Sequence, residues 1–159
     1  MTMIEPYHAP VPLPVGGEPP LLHGTHASSL CPDTGLNVPL CFRAAFAEGA
    51  ILTCGYEGCL YLLPPASWQS LVRQARTIAP ASEQGRLQRR RIFASALAVV
   101  LDADGNFVPS PDLLTYAGIR EQVIFAGVDS YIELWAAHRW LKMRDQLARS
   151  AYHAMQPNP

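Results

Sequence analysis

Four cysteines, five histidines and a short run of arginines are the residues of this chain whose chemistry would be most visible. Cys31, Cys41, Cys54 and Cys59 stand 10, 13 and 5 positions apart, without the paired C-x2-C spacing that gathers thiolates around zinc. His23 and His26 could add ligands or touch phosphate, but this pattern gives no reason to expect a metal or other cofactor. A thiol mechanism would need Cys59 to meet His26, and a serine mechanism would need Ser67 to find a distant His and Asp. Nothing in the spacing brings either set together, and there is no glycine-rich phosphate loop, so catalysis is not expected. The cysteines are expected to be small buried apolar residues or to occupy turn positions.

Arg86, Arg89, Arg90 and Arg91 form a basic cluster, with Arg43 a candidate neighbour. Such a cluster can neutralise phosphates and release their counterions, or it can be the solvated face of a helix. Trp68, Trp135, Trp140, Phe125 and Tyr131 suit interfaces between halves and between subunits better than stacking on bases.

These residues must be positioned by a chain of 159 residues that is 49% hydrophobic and 16% charged, with 12 basic and 13 acidic side chains. That balance excludes a disordered polyelectrolyte and a basic nucleic-acid coat. The length allows one compact domain or two small joined lobes. No apolar run approaches the roughly 18 residues of a membrane span, and the first 20 residues lack the pattern of a signal peptide, so a soluble cytoplasmic protein is expected. Pro6, Pro10, Pro12, Pro14, Pro19 and Pro20 mark residues 1–21 as a mobile, partly polyproline-like extension, and residues 155–159 should fray.

Between the tails the chain repeats itself. Gly55 and Gly127, like Trp68 and Trp140, are 72 positions apart, and Glu57 then matches Asp129, Leu60 matches Ile132 and Leu62 matches Leu134. Upstream, Asp33 matches Asp104, Leu36 matches Phe107 and Phe42 matches Leu113 at a separation of 71.

Each copy reads as a turn rich in Asp and Gly, a short helical turn, two β-like runs and a helix carrying Trp. In the second copy, strands 96–101 and 107–109 flank Asp102-Ala103-Asp104-Gly105-Asn106, Pro111 starts a helix that Gly118 ends, strands 122–125 and 131–135 pair, and a helix runs over 136–152. The first copy carries the turn Cys31-Pro32-Asp33-Thr34-Gly35, a helix over 40–47, strands 51–54 and 59–63, and a helix over 65–76. Residues 83–93 are helix-prone. A lone hairpin is barely stable, so each copy should need the other's strands, giving an α+β fold: an interlocked, internally duplicated β unit with peripheral helices. The segments expected are the extension 1–21, a first half 22–68, connecting helices 69–93, a second half 94–140 and a C-terminal helix and tail 141–159.

In their order, several stretches resemble the MraZ family: Gly24-Thr25-His26, Val38-Pro39-Leu40-Cys41-Phe42-Arg43, the run from Leu52 to Leu60 with Trp68 following, Arg86-Leu87-Gln88-Arg89, Leu101 to Gly105, Tyr116 to Ile119, and Ile132 to Trp135. The resemblance covers about residues 22–147. It implies two AbrB-like swapped-hairpin halves closing a β-barrel unit. It also implies a transcriptional regulator, a repressor of division and cell-wall genes, that acts on the nucleoid as a ring-like homo-oligomer and binds promoter DNA with repeated elements. The family signature is Asp-x-x-x-Arg in each hairpin. Here the first copy has Cys31 and Gly35 at those positions, and the second keeps Asp102 but has Asn106 for the arginine. Arg43, Asn106, Arg86, Arg89, Arg90 and Arg91 are the expected DNA contacts, the last four as phosphate contacts or, since the corresponding helix of the family lies between the halves, as structural residues, with Asp33, Gly35, Asp102 and Gly105 shaping the turns. Asn106 could read an adenine edge, whereas Gly35 can offer only backbone.

Overall fold

The computed structural model describes residues 21–154, so the expected extension, apart from its last residue, and the tail 155–159 lie outside the described residues. Six strands form one antiparallel sheet in the order β1-β7-β8-β4-β3-β5: β1 (Leu22–Ser29), β3 (Ala50–Cys54), β4 (Leu60–Leu63), β5 (Leu97–Val99), β7 (Gln122–Asp129) and β8 (Ile132–Ala136). A separate two-stranded ladder joins β2 (Leu36–Asn37) to β6 (Asn106–Phe107). Four α-helices accompany them: α1 (Pro65–Arg76), α2 (Glu83–Arg89), α3 (Pro111–Ala117) and α4 (Ala137–Ala154). The chain is thus α+β, as its patterning suggests.

Pairing carries the two parts of the chain into each other. Tyr61 faces Glu133 and Leu62 faces Ile132 at the centre of the sheet, Ile51 faces Ala98 towards one edge, and Ala126 faces Thr25 towards the other. Alternation along the strands splits the sheet into two faces. On one, Leu52, Leu60, Leu62, Val123, Phe125, Ile132 and Leu134 pack with Leu36, Val38, Phe42, Phe46, Phe107 and Leu113 in the main core. The other face carries a smaller cluster around Cys59, Ala126 and Trp135.

Local sequence explains the element ends. Pro65 at the first turn of α1 has no N–H to lose, and Ser110 caps α3 by accepting from the Leu113 N–H. Gly118 closes α3 in the left-handed conformation at φ 66. The helix expected over 40–47 is a 3-10 helix, Leu40–Phe46: it begins after Pro39 without a side-chain cap, and the Phe42 N–H bonds the Pro39 carbonyl three residues back. The helix-prone stretch 83–93 divides into α2 and a π-helical turn, Arg90–Ala94. The buried Thr53 hydroxyl donates to the Ile92 carbonyl at that turn.

One strand has no counterpart in the expected elements. β1 buries only Leu22 and shows no apolar alternation; its eight residues instead pair along β7 from Leu22–Asp129 to Ser29–Gln122. That pairing carries β7 to Asp129, beyond the strand expected over 122–125, before a two-residue turn at Asp129 and Ser130.

Candidate nucleic-acid interface

The β2–β6 ladder sets the two Asp- and Gly-containing turns side by side, with Leu36 opposite Phe107 and Asn37 opposite Asn106. In the second turn the Asp102 carboxylate accepts from the backbone N–H of Asn106 at 2.8 Å, the N–H of Asp104 at 2.9 Å and the Asn106 side-chain amide at 3.2 Å. These bonds, the Asn106 N–H first, hold its carboxyl below the usual range. In the first turn, Cys31 and Gly35 exchange two backbone bonds of 2.8 Å. The Thr34 hydroxyl and then the backbone N–H groups of Thr34 and Asp33 favour the thiolate and hold the exposed Cys31 thiol below its ordinary value. Gly35 sits at φ 79, where an added Cβ would lie 2.2 Å from the Phe107 carbonyl oxygen. Asp33 stays exposed at the first turn's tip.

Arg43 and Asn106 belong to one hydrogen-bonded chain. The Asn37 amide donates to Asn106 Oδ1 at 2.7 Å and to the Asp104 carbonyl at 2.8 Å. Arg43 donates through Nη2 to Asn37 Oδ1 at 2.9 Å and through Nε to the Val38 carbonyl at 2.8 Å. Its guanidinium lies against Gly105, whose φ of 83 and missing Cβ make room for it. The result is a polar seam, Asp102–Asn106–Asn37–Arg43, running from the exposed Asp102 to the half-buried Asn106, Asn37 and Arg43 at the base of the two turns. Asn37 is the member that reading the sequence missed. The match of Leu36 with Phe107 was the available signal: taken as a cross-strand pair as well as a repeat, it puts Asn37 opposite Asn106.

A family profile described as "MraZ protein, putative antitoxin-like" matches residues 92–156. The "Transcriptional regulator MraZ" of Thermomicrobium roseum is 36% identical over 113 residues, which are 71% of this chain and 80% of that protein. The protein of the same name from Herpetosiphon aurantiacus is 38% identical over 116 residues, 73% of this chain and 81% of its own. That from Pelotomaculum thermopropionicum is 28% identical over 127 residues, 80% and 88% respectively. The chain belongs to the MraZ family.

Within this MraZ chain, the other arginines form a second group. Arg86 donates to the carbonyls of Pro80 and Ala81, and Arg89 to those of Ile78 and Arg76, so both close the turn between α1 and α2. Arg91 lies over the Tyr56 ring at 5.8 Å. Arg90 is exposed, and its side chain bonds no other group among the described residues. No bond joins these four to Arg43 or Asn106.

Of the cysteines, Cys41 departs from the expectation of burial or a turn position. Cys59 is buried, Cys54 is half-buried, and Cys31 and Cys41 are exposed, because they sit on a turn and on the outer side of the 3-10 helix. His26 does not meet Cys59; its Nε2 lies 3.4 Å from the Cys41 sulfur. Ser67 is buried and donates to the Ser130 carbonyl, which makes it a tie between α1 and the β7–β8 turn. Among the described residues no group of three or more His, Cys, Asp or Glu could hold a metal ion, and no helix is long and apolar enough to cross a membrane.

Proposed function

We propose that this MraZ-family chain is a sequence-specific DNA-binding regulator of transcription. It acts as a repressor of division and cell-wall genes, on the nucleoid, and binds repeated promoter elements as a ring-like homo-oligomer. Two halves of one internally duplicated, swapped-hairpin unit build it. The sheet order supports that reading, because the strands equidistant from its two edges, β1 and β5, β7 and β3, β8 and β4, are the ones that the 71- and 72-residue separations superimpose. The relatives' printed name, "Transcriptional regulator MraZ", supports the function.

The observation that carries the proposal is the pair of exposed turns held side by side on the Asp102–Asn106–Asn37–Arg43 seam. The turns enter a groove, Asn106 stands nearest the bases, and Arg43 stiffens the pair while adding positive charge. Arg90 and its neighbours meet phosphate, and contacts that are weak in one subunit gain from repetition around the ring. Anisotropy with labelled DNA from upstream of the protein's own operon, against a scrambled duplex at two salt concentrations, tests this. Preferential, salt-sensitive binding is the expected result; equal, negligible binding with the oligomer intact would overturn it.

A second reading keeps the scaffold and drops the readout. The favouring observation is that Gly35 carries no side chain while both ends of the Asn106 amide are bonded inward, to Asp102 and Asn37. On that reading the chain is an oligomeric interaction module, and a stable ring without promoter affinity is its signature.

A further inference from the structure

The sheet face away from the main core carries a carboxylate that the two-turn layer does not use. Glu133 lies on β8, directly opposite Tyr61 on β4 on one side and Ala126 on β7 on the other. Along its own strand its same-face neighbours are Tyr131 and Trp135, two residues before and after. Three aromatic residues therefore border the carboxylate, and the fourth side is the buried Ala126, in the cluster against which Trp140 and Met143 of α4 pack. The Tyr61 and Tyr131 rings are 4.7 Å apart and tilted at 53°, both half-buried. The indole N–H of Trp135 donates to Glu133 Oε2 at 2.9 Å and fixes its direction.

The other oxygen, Oε1, has no hydrogen-bond or ion-pair partner among the described residues. It is not sealed in, because no buried side-chain oxygen or nitrogen lacks a partner. The carboxylate thus keeps some contact with solvent from a half-buried position. Burial, and then the negative charge of Glu57, push the Glu133 carboxyl above its usual range. A partly desolvated carboxylate with one hydrogen bond and no cationic partner among the described residues is costly in a fold, and an alanine or threonine on this strand would avoid the cost. Rings that present a negative π-face beside such a carboxylate attract a desolvated organic cation through both quadrupole and charge.

We propose that Glu133, Tyr61 and Tyr131 form a binding site for an organic cation, a guanidinium or alkylammonium group, with Trp135 orienting the carboxylate. The cation comes either from a free small molecule or from an arginine or lysine of a second copy of this chain.

The test follows the Trp135 indole N–H resonance of the full-length 15N-labelled protein, assigned with Trp135→Phe. Tetramethylammonium chloride and N-acetylarginine methylamide are titrated against sodium chloride at matched ionic strength. The expected result is a saturable shift with the organic cations only, abolished in Glu133→Gln and about two- to fivefold weaker in Tyr131→Leu. If the cation belongs to a second copy, the resonance of the untreated protein moves on dilution, the added cations compete, and Glu133→Gln sediments as a smaller species at the same concentration. Shifts equal to those of sodium chloride with no concentration dependence, or a saturable shift that survives Glu133→Gln, would overturn the proposal. Unchanged Val123 and Phe125 amide resonances, from the covered core of β7, establish that each variant is folded.

Discussion

The turns at 31–35 and 102–106 are built on the same backbone plan yet are stabilised by different means. Both have backbone bonding between first and fifth residues, two bonds in the first turn and one in the second; each has a glycine with positive φ, at the fifth position in the first and the fourth in the second, and they meet in one ladder. The second turn is organised by side chains: Asp102 gathers the amides of Asp104 and Asn106, and Asn37 and Arg43 extend that order. The first is organised by backbone contact, with Gly35 pressed on the Phe107 carbonyl and Cys31 standing where its counterpart has a carboxylate. A turn fixed by side chains can be re-equipped by mutation. A turn fixed by backbone contact has no room for a new side chain.

The sharpest way to break the comparison is to add one methyl group to each glycine. Gly35→Ala puts Cβ against backbone that cannot move without opening the β2–β6 ladder, in addition to left-handed strain. A loss of about 3–5 kcal/mol by denaturant unfolding is expected. Gly105→Ala meets the Arg43 side chain first, at Nε 2.3 Å away, and that side chain can swing aside at the expense of its two hydrogen bonds. About 2 kcal/mol should be lost there. Equal losses would mean that the first turn is no more constrained than the second.

Asp102→Ala should lower Tm clearly at neutral pH, and Cys31→Ala should hardly change it. The Asp102 carboxyl titrates lower in the fold than in the unfolded chain, so its stabilisation is present above the unfolded value of about 3.9 and disappears as pH falls through the folded value. Wild type and Asp102→Ala should therefore converge in strong acid; a constant gap across pH would show that the carboxylate's charge is not what orders the turn. For DNA, Asn106→Arg should steepen the dependence of log affinity on log salt by about 0.9, one additional phosphate contact. The corresponding change at Gly35 should unfold the ladder before it can help.

Much of this architecture is legible in the sequence because local chemistry sets it. Pro65, Pro111 and Gly118 mark helix ends that the structure keeps, and the Asp102 to Asn106 turn stands where Asp and Gly put it. β1 was hidden because an edge strand held by backbone bonds needs no apolar alternation, and Leu22 alone is buried in it. The roles of Arg86 and Arg89 were hidden because their carbonyl partners lie 5 to 13 residues earlier, in a turn that no periodicity points to. The candidate site was half legible: Arg43, Asn106 and Asp102 could be singled out by type and position, but Asn37, which joins them, emerges only from register.

The smallest expected effect concerns the exposed thiol of Cys31, and it tests whether the two turns share one electrostatic plan. Iodoacetamide modification, followed at each cysteine by mass spectrometry across pH, should give Cys31 a midpoint below the ordinary thiol value of about 8.5. Cys59, buried and with its thiol pushed up by that burial, should stay unmodified until the chain unfolds. Thr34→Val should raise the Cys31 midpoint, because the Thr34 hydroxyl is the largest influence favouring the thiolate. Asp33→Asn should move it the other way, since the Asp33 charge opposes ionisation. A folded thiol pKa below the unfolded one adds nothing to stability at pH values under the folded pKa, and its contribution grows until pH passes the unfolded value. Cys31 therefore takes the part of the Asp102 carboxylate only once it has ionised, and the first turn should become more like the second as pH rises. A Cys31 midpoint that is ordinary and indifferent to Thr34→Val would leave the first turn held by its backbone alone.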